Sequence, residues 1–178
     1  LNGAMRVLRY LKGTIDRGIQ LGGEVHPIEG FVDADYAGDL DTRQSTTGFV
    51  FLLNGGPVSW ISKRQGTVAG STVEAEYIAF HAATKEARWL ARLLGEFGRP
   101  TSLIPLRGDN TGCLANLKNP ILSKYVKHIG VAYHSVREWV ARGIISPIYV
   151  ASADNVADLF TKPLPEPAFV RHRASMGL

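Results

Sequence analysis

The 178-residue chain is 45% hydrophobic, with a mean hydropathy of −0.01, which is typical of one soluble globular domain. No apolar run approaches the roughly 20 residues of a transmembrane helix, and the single Cys113 excludes an internal disulfide and fits a reducing compartment. A net charge of +4 and a pI near 9.3 favour an acidic partner such as nucleic acid, although many ordinary basic proteins share these values.

In chain order, the sequence first predicts a basic amphipathic helix over 2–13, which we expect to be a surface or docking helix. Alternation of residue types and turn residues then predict five strands, at about 28–35, 47–53, 58–65, 102–109 and 144–151. Helices are expected from Ser71 or Thr72 to Phe97, from Asn110 for a short stretch, over about 125–142 and over 154–161. Three strands followed by strand–helix–strand units predict a mixed sheet with helices on its faces.

The long central helix carries one acidic residue on its apolar side. At helical spacing, Glu76 shares a stripe with apolar residues only: Ala79, Phe80, Ala83, Ala87, Leu90 and Leu94. Glu74 points away from this stripe, and we expect it to be solvated. An ionised carboxylate in apolar surroundings is unfavourable by several kcal/mol unless a cation or hydrogen bonds compensate. The pattern therefore predicts a specific partner for Glu76.

Three further acidic residues lie where the predicted fold can bring them to Glu76. Asp33 lies inside the first strand, Asp109 follows the fourth strand, and Asp158 lies in the first turns of the helix after the fifth. If these strands are parallel neighbours, their carboxyl ends face one crevice. Four adjacent carboxylates repel unless divalent cations lie between them, and oxygen-only ligation suits Mg²⁺ or Mn²⁺. Two such ions would clamp a phosphodiester for attack by water.

Each of these acids also has a purely structural explanation. Asp33, or its neighbour Asp35, can close a strand end in a turn; Asp109 can be a helix N-cap; and Asp158 can complement a helix dipole. Glu76 is the hardest to explain in this way, because Glu rarely lies on an apolar stripe without a partner. Four separate coincidences explain the pattern less well than one shared site.

Several sequence motifs, in this order, are similar to those of one family. They are VDADYAG at 32–38, RQSTTGFVF at 43–51, VSWISKRQ at 58–65, STVEAEYIA at 71–79, DN at 109–110, NP at 119–120, KHI at 127–129 and NVADLFTKPL at 155–164. Together they resemble the ribonuclease H domain of copia-type LTR retrotransposons, and the resemblance spans nearly the whole chain.

The resemblance implies a ribonuclease H-like fold of the α/β class. Its five-stranded mixed sheet would consist of an antiparallel three-strand meander plus parallel strands, with helices on its faces. The family's catalytic and metal-binding carboxylates fall on Asp33, Glu76, Asp109 and Asp158. The implied reaction is endonucleolytic hydrolysis of the RNA strand of RNA–DNA hybrids during reverse transcription, with two Mg²⁺ or Mn²⁺ ions as cofactor.

The resemblance also implies how the chain is organised and where it works. We expect a segment connecting from a preceding reverse transcriptase domain at 1–20, the ribonuclease H domain at 21–162 and a mostly irregular, proline-containing tail at 163–178. The implied partners are the hybrid and the reverse transcriptase domain of the same polyprotein, with no membrane. The implied location is intracellular, in the cytoplasmic virus-like particle of the element.

Three positions depart from the family pattern or from its cellular relatives. Gly70 stands where the family usually has Ser, and Gly108 where Cys is common before Asp-Asn, and we expect both to affect packing only. The loop at 151–155 lacks the His that many cellular ribonucleases H carry there. Copia-type proteins usually lack it too, and we expect slower product release or a reliance on other groups.

A hybrid duplex is recognised through its shape, phosphates and 2′-hydroxyls, so basic and polar side chains are candidates for contact. The candidates are Arg43, Lys63, Arg64, Lys124 and Lys127, with Ser45, Thr46 and Asn110 as hydroxyl or amide donors. Each of them can equally be a solvated surface residue.

Other residues that often mark functional sites are expected to be structural. We expect Trp60, Trp89 and Trp139 in the core rather than as stacking platforms. Cys113 lacks a base in its own segment and is expected to be a buried apolar residue.

Two further functions are compatible with the same residues. One is a catalytically weak nucleic-acid-binding module of ribonuclease H-like fold that needs its polymerase domain. The other is a different nuclease or a transposase on the same fold. Competition between hybrid, duplex RNA and duplex DNA substrates would distinguish them.

Overall fold

A computed structural model describes residues 2–19, 21–22, 25–118 and 130–178. Within them a sheet of order β3-β2-β1-β4-β5 is built from the strands β1 (Glu29–Asp35), β2 (Thr46–Leu53), β3 (Gly56–Arg64), β4 (Ile104–Gly108) and β5 (Ile145–Tyr149). The helices are α1 (Asn2–Gly13), α2 (Thr72–Glu96), α3 (Thr111–Lys118), α4 (Gly130–Ala141) and α5 (Glu166–Ser175). The first three strands are antiparallel, and β4 and β5 run parallel to β1, which confirms the predicted mixed sheet.

The meander follows from its turn residues and from burial on both faces. Leu53 pairs with Gly56, and the two residues between them, Asn54 and Gly55, have φ of 50° and 81°. Positive φ at both positions is what a two-residue type I′ hairpin requires. The central residues of β1 and β2 are continuously buried, because α2 covers one face and the segment from 156 to the C-terminus covers the other.

The central helix α2 begins where the sequence predicts. The Ser71 hydroxyl accepts the Glu74 backbone N–H at 3.1 Å, and the Glu74 carboxylate accepts the Gly70 backbone N–H at 2.9 Å. This reciprocal capping leaves Glu74 half-buried, so the expectation that it is fully solvated is wrong. The small residues Ala79, Ala83 and Ala87 are fully buried and let the helix axis lie close to the sheet.

The C-terminal part of the chain differs from the prediction. Residues 163–178 contain α5 rather than a mostly irregular tail, because Pro167 lies in the first turn of a helix, where a missing N–H removes no hydrogen bond. The predicted helix over 154–161 is a 3₁₀ helix at Val156–Phe160, preceded by another at Ser152–Asp154. Of the helix predicted over 125–142, the structure has α4, and the earlier residues lie outside the described ranges.

Two of the three tryptophans are not in the core. Trp60 is 55% exposed on the edge strand β3, and Trp89 is 54% exposed on the outer side of α2, so their predicted burial is wrong. Trp139 is partly buried, with the guanidinium of Arg88 3.5 Å from its ring centre. Cys113 is fully buried, as predicted.

Among the described helices, none combines the length and apolar character needed to cross a bilayer.

The first testable consequence concerns Gly108, which makes room for an aromatic ring under the end of β4. A Cβ at this position would lie 2.7 Å from two ring carbons of Phe80, which is itself fully buried. We expect Gly108→Ala to lower the free energy of unfolding by about 1–3 kcal/mol, because the core must shift to accept the methyl group. Urea denaturation measures this change.

Two variants make that test specific. Gly66→Ala, where an added Cβ meets nothing within 4 Å, should change the free energy of unfolding by no more than about 0.5 kcal/mol. The double variant Gly108→Ala/Phe80→Leu should regain part of the free energy of unfolding that Phe80→Leu alone loses. Equal effects of the Gly108 and Gly66 changes would contradict this account of the packing.

Candidate active site

Three carboxylates from three different elements meet at one edge of the sheet. Phe31 of β1 is opposite Arg107 of the parallel strand β4, so Asp33 and Asp109 reach the same strand ends. Glu76, in the second turn of α2, comes from the helix that packs on β1. One oxygen from each of Asp33, Glu76 and Asp109 lies within 4.8 Å of the others. The predicted proximity of these three residues is therefore present in the fold.

Glu76 is the most perturbed member of this group. Its side chain is buried, and its Oε2 atom has no hydrogen-bond partner among the residues that the structure describes. Burial, followed by the charges of Asp33 and Asp109, raises the pKa of Glu76 to about 9, although the Ala34 backbone N–H and Lys162 act in the opposite direction. In the absence of a cation, Glu76 is therefore protonated at neutral pH, which reduces the repulsion within the cluster.

Asp158 does not join the three carboxylates directly but is linked to them through Lys162. The Lys162 Nζ atom lies 2.9 Å from Asp158 Oδ1 and 3.6 Å from Asp33 Oδ2. Burial raises the pKa of Asp158 to about 6 in spite of this hydrogen bond. Burial also acts to lower the pKa of Lys162, but the hydrogen bond to Asp158 and the nearby carboxylates outweigh it and raise the pKa. The ammonium group is thus a fixed positive charge beside two of the predicted site residues.

The segment that carries Asp158 and Lys162 is fastened to β1 by polar side chains. Asn155 is fully buried, donates from Nδ2 to the Val32 carbonyl at 3.0 Å and accepts the Ala157 N–H. The Thr161 hydroxyl donates to Asp33 Oδ2. Gly48, opposite Asp33 in the sheet, leaves the space for Thr161, because an added Cβ would lie 2.5 Å from the Thr161 methyl group.

Asn155, Thr161 and Lys162 are site residues that the sequence analysis missed. One signal was available for Lys162, since it lies four residues after Asp158 and such pairs face each other on a helical turn. Asn155 looks like an ordinary helix cap in sequence. Nothing in the local sequence of Thr161 indicates a bond to a residue 128 positions earlier.

The donor set fits a hard divalent cation. It consists of carboxylate oxygens only, one of them a buried atom without a partner, and it lies at strand ends next to solvent, since Asp109 is only partly buried. Oxygen ligands with positions left for water and substrate are what Mg²⁺ and Mn²⁺ prefer. Asp33, Glu76 and Asp109 could therefore hold such an ion.

The residues predicted to contact a substrate have mixed placements. Arg43 and Lys63 are exposed, and Thr46 is half-buried at the start of β2. Ser45 is fully buried and its hydroxyl accepts the Ala37 backbone N–H, so its predicted contact with a substrate is wrong. The Ser45 hydroxyl instead stabilises the turn that follows β1.

Two more of these candidates have structural partners. Arg64 donates to Asp39 at 2.6 Å, and the pKa of Asp39 is lowered to about 2 by the Thr42 backbone N–H and by Arg64. Asn110 Oδ1 accepts the Cys113 backbone N–H at 2.8 Å and caps α3. Lys124 and Lys127 lie outside the described residues.

Comparison with known proteins gives relatives over the whole chain, although no family model matches it. The retrovirus-related Pol polyprotein from transposon RE2 of Arabidopsis thaliana is 38% identical over 179 residues, which cover 99% of this chain and 12% of the polyprotein. The corresponding polyprotein from transposon TNT 1-94 of Nicotiana tabacum is 38% identical over 172 residues, or 97% of this chain and 13% of the polyprotein. The chain thus spans about one eighth of the length of these curated relatives.

Solved structures share the fold. RNase H1 from the halophilic archaeon Halobacterium salinarum NRC-1 superposes with a TM-score of 0.55 and 22% identity, covering 75% of this chain and 93% of that protein. LC11-RNase H1, determined in complex with an RNA/DNA hybrid, superposes with a TM-score of 0.59 and 13% identity, covering 76% of this chain and 94% of that protein. The sheet order and its mixture of parallel and antiparallel strands are those of the ribonuclease H-like fold.

The burial of Glu76 predicts how the stability of the metal-free protein depends on pH. Its pKa is about 9 when folded and near the ordinary value of 4.5 when unfolded. Between these pH values the folded state binds more protons than the unfolded state, so stability must fall as pH rises. We expect Glu76→Gln to remove this part of the decline in EDTA, measured as unfolding free energy from pH 5 to pH 8.5.

Glu96→Gln is the matched control for this experiment, because Glu96 is exposed at the end of the same helix. It should leave the pH dependence of the wild type in place. A Glu76→Gln protein that loses stability with rising pH as steeply as the wild type would show that Glu76 is not the titrating group.

Removal of Lys162 should destabilise the metal-free fold. We expect Lys162→Met, which keeps most of the aliphatic chain, to lower the free energy of unfolding in EDTA by about 1–2 kcal/mol. The loss should be smaller than for a fully buried pair, because Lys162 is 37% exposed. Arg142→Met, which breaks an exposed ion pair with Glu138, should lower it by about 0.5 kcal/mol or less. Similar losses for both variants would rule out a special role for Lys162.

Proposed function

This chain belongs to the retrovirus-related Pol polyprotein family and has a ribonuclease H-like fold, and we propose that it is a ribonuclease H domain that hydrolyses the RNA strand of RNA–DNA hybrids with divalent metal ions as cofactor. The observation that carries the proposal is the meeting of Asp33, Glu76 and Asp109 within 4.8 Å, with a Glu76 oxygen buried and unpartnered. A protein of the same fold, LC11-RNase H1, has been captured with an RNA/DNA hybrid, which supports this choice of substrate.

Asp33, Glu76 and Asp109 would hold the metal ions, with Asp158 beside them, and we propose Mg²⁺ or Mn²⁺, two per site. When bound, these ions would polarise the phosphodiester and lower the pKa of an attacking water. At neutral pH Glu76 would release the proton that it carries in the metal-free protein, where its pKa is about 9, in order to serve as a ligand.

The other site residues of this chain act by position and charge. Thr161 donates a hydrogen bond to Asp33 and fixes the orientation of that carboxylate. Lys162 supplies a positive charge between Asp33 and Asp158, where the negative charge of a phosphodiester would otherwise be repelled. Asn155 holds the segment of both residues against β1.

The proposal also includes a partner domain and a location for the reaction. The relatives are Pol polyproteins about eight times longer than the chain, so we propose a reverse transcriptase domain of the same polyprotein as partner. Residues 1–20 would connect the two domains, and the reaction would take place inside an intracellular particle of the element.

A second candidate is a weakly active module that depends on its polymerase domain. It is favoured by α1, whose apolar residues Val7, Leu8 and Leu11 are more than half exposed and suit a covering domain. The isolated chain would then bind hybrid and cleave it slowly, and the addition of the polymerase segment would increase the rate.

The proposed activity is tested with end-labelled RNA–DNA hybrid, duplex RNA and duplex DNA, each incubated with the protein and Mg²⁺. We expect cleavage of the RNA strand of the hybrid, its loss in EDTA and a preference for the hybrid over both duplexes. Asp109→Asn should lower the cleavage rate by about a hundredfold or more, because the side chain loses a charged ligand oxygen.

Asp41→Asn is the control, because it removes the same charge from an exposed loop. It should cleave at the wild-type rate. A wild-type protein that cleaves none of the three substrates, with or without the polymerase segment, would refute the proposal. So would an Asp109→Asn protein as active as the wild type.

A further inference from the structure

A second feature of the surface, separate from the acidic cluster, is a groove between α1 and α5. Its volume is about 760 Å³. Arg6, Arg9 and Arg17 line one wall and Arg173 lines the other, with Glu166 as the one acidic residue among the lining residues. We call this feature the α1–α5 groove.

The arginines face α5 because of how α1 is attached. Arg9 and Tyr10 follow Arg6 by three and four residues, which places all three on one side of α1. The Tyr10 ring contacts the Phe169 ring of α5 edge-on, with centroids 5.9 Å apart. The basic side of the helix therefore lies towards α5, and both this side and the opposite, apolar side are exposed.

The positive charge of the groove is largely unbalanced. Within the described residues, the ion pairs of the protein involve none of Arg6, Arg9, Arg17 and Arg173. The Nε of Arg173 is a buried donor that has no hydrogen-bond partner in the described part of the chain, although the guanidinium lies 5.7 Å from the Phe169 ring centre. Four guanidinium groups around one carboxylate repel one another, and an anion in the groove relieves this repulsion.

The groove and the candidate active site are close to each other along the chain. Leu164, which also lines the groove, is two residues after Lys162, so their Cα atoms are at most about 7 Å apart. Lys162 in turn contacts Asp33 and Asp158. A polyanion that runs from the groove past Leu164 would therefore approach the acidic cluster.

We propose that the α1–α5 groove binds the phosphate backbone of the nucleic acid that reaches the acidic cluster. This inference rests on the proposed function, because the nucleic acid in the groove is taken to be the same RNA–DNA hybrid. The acidic cluster repels phosphates until cations neutralise it, so affinity for the hybrid must come from another surface. Guanidinium groups bind phosphate with paired hydrogen bonds, and a groove of them gives binding without base specificity.

The test compares two triple variants that remove the same charge. One is Arg6→Ala/Arg9→Ala/Arg17→Ala, on the groove. The other is Lys85→Ala/Arg92→Ala/Arg99→Ala, which changes exposed residues of α2 and the residues after it, on the opposite face of the sheet. Binding of a fluorescently labelled RNA–DNA hybrid is followed by anisotropy in EDTA over a series of NaCl concentrations, so that no cleavage occurs.

We expect the groove variant to bind the hybrid at least about tenfold more weakly at low salt. The slope of log affinity against log salt should fall by about 2–3, since each lost phosphate contact contributes about 0.9. The α2 variant should stay within about threefold of the wild type. Far-ultraviolet circular dichroism of the groove variant should match the wild type, which separates lost contact from lost structure.

An unchanged affinity and salt slope in the groove variant would overturn the proposal, as would equal losses in the two variants. The outcome is independent of the proposed reaction. If the groove variant loses affinity but the wild type cleaves no hybrid in Mg²⁺, the groove stands and the nuclease assignment fails. If the wild type cleaves and the groove variant has an unchanged KM, the nuclease assignment stands and the groove assignment fails.

Discussion

Repulsion between carboxylates is the constraint on which the rest of this structure depends. Two unit charges 4.8 Å apart, at an effective dielectric constant of about 20, repel by on the order of 3 kcal/mol, and a fully ionised cluster of Asp33, Glu76 and Asp109 would contain three pairs no further apart than that. The metal-free fold relieves this in two ways: Glu76 retains a proton, and Lys162 places its ammonium group beside Asp33. The first form of relief is reversible, because the proton on Glu76 can give way to a divalent cation.

The fold keeps the carboxylates together because the elements that carry them are fixed by unrelated interactions. Glu76 cannot move away from the sheet, since Ala79, Phe80 and Ala83 are buried on the same side of α2. Asp33 and Asp109 are held side by side by parallel pairing of their strands. The free energy that opposes the repulsion is thus the burial of apolar surface distant from the charges, as is common where a binding site is preorganised.

The sequence predicted the parts of this arrangement that have a local pattern. Strand alternation, turn residues and the apolar stripe of α2 located the sheet, its meander and the inward carboxylate. Bonds between distant residues have no such pattern, and so Thr161, whose hydroxyl reaches Asp33, was missed. Ser45 and Trp60 were misjudged for a related reason: hydroxyl and indole groups suit a surface or a core equally well, and only the packing of neighbouring elements decides between them. Proline was misread in α5, because it ends one helix and begins another with the same covalent geometry.

The distribution of charge over the molecule also explains why capture of a polyanion and chemistry on it need different surfaces. A site that binds cations must be negative before they arrive, and a negative site repels the phosphates on which it is to act. A net charge of +4 on the whole chain does not remove this local repulsion, because screening limits the reach of each charge to about 8 Å in physiological salt. Positive groups must therefore lie within that distance of the acids. Lys162 satisfies this condition inside the site, and Leu164, two residues further on, lines the groove that also contains Arg6, Arg9 and Arg17. The basic side of α1 faces α5, and its apolar residues are therefore left in solvent. This arrangement is unfavourable for an isolated helix, but it is consistent with a surface that holds nucleic acid on one side.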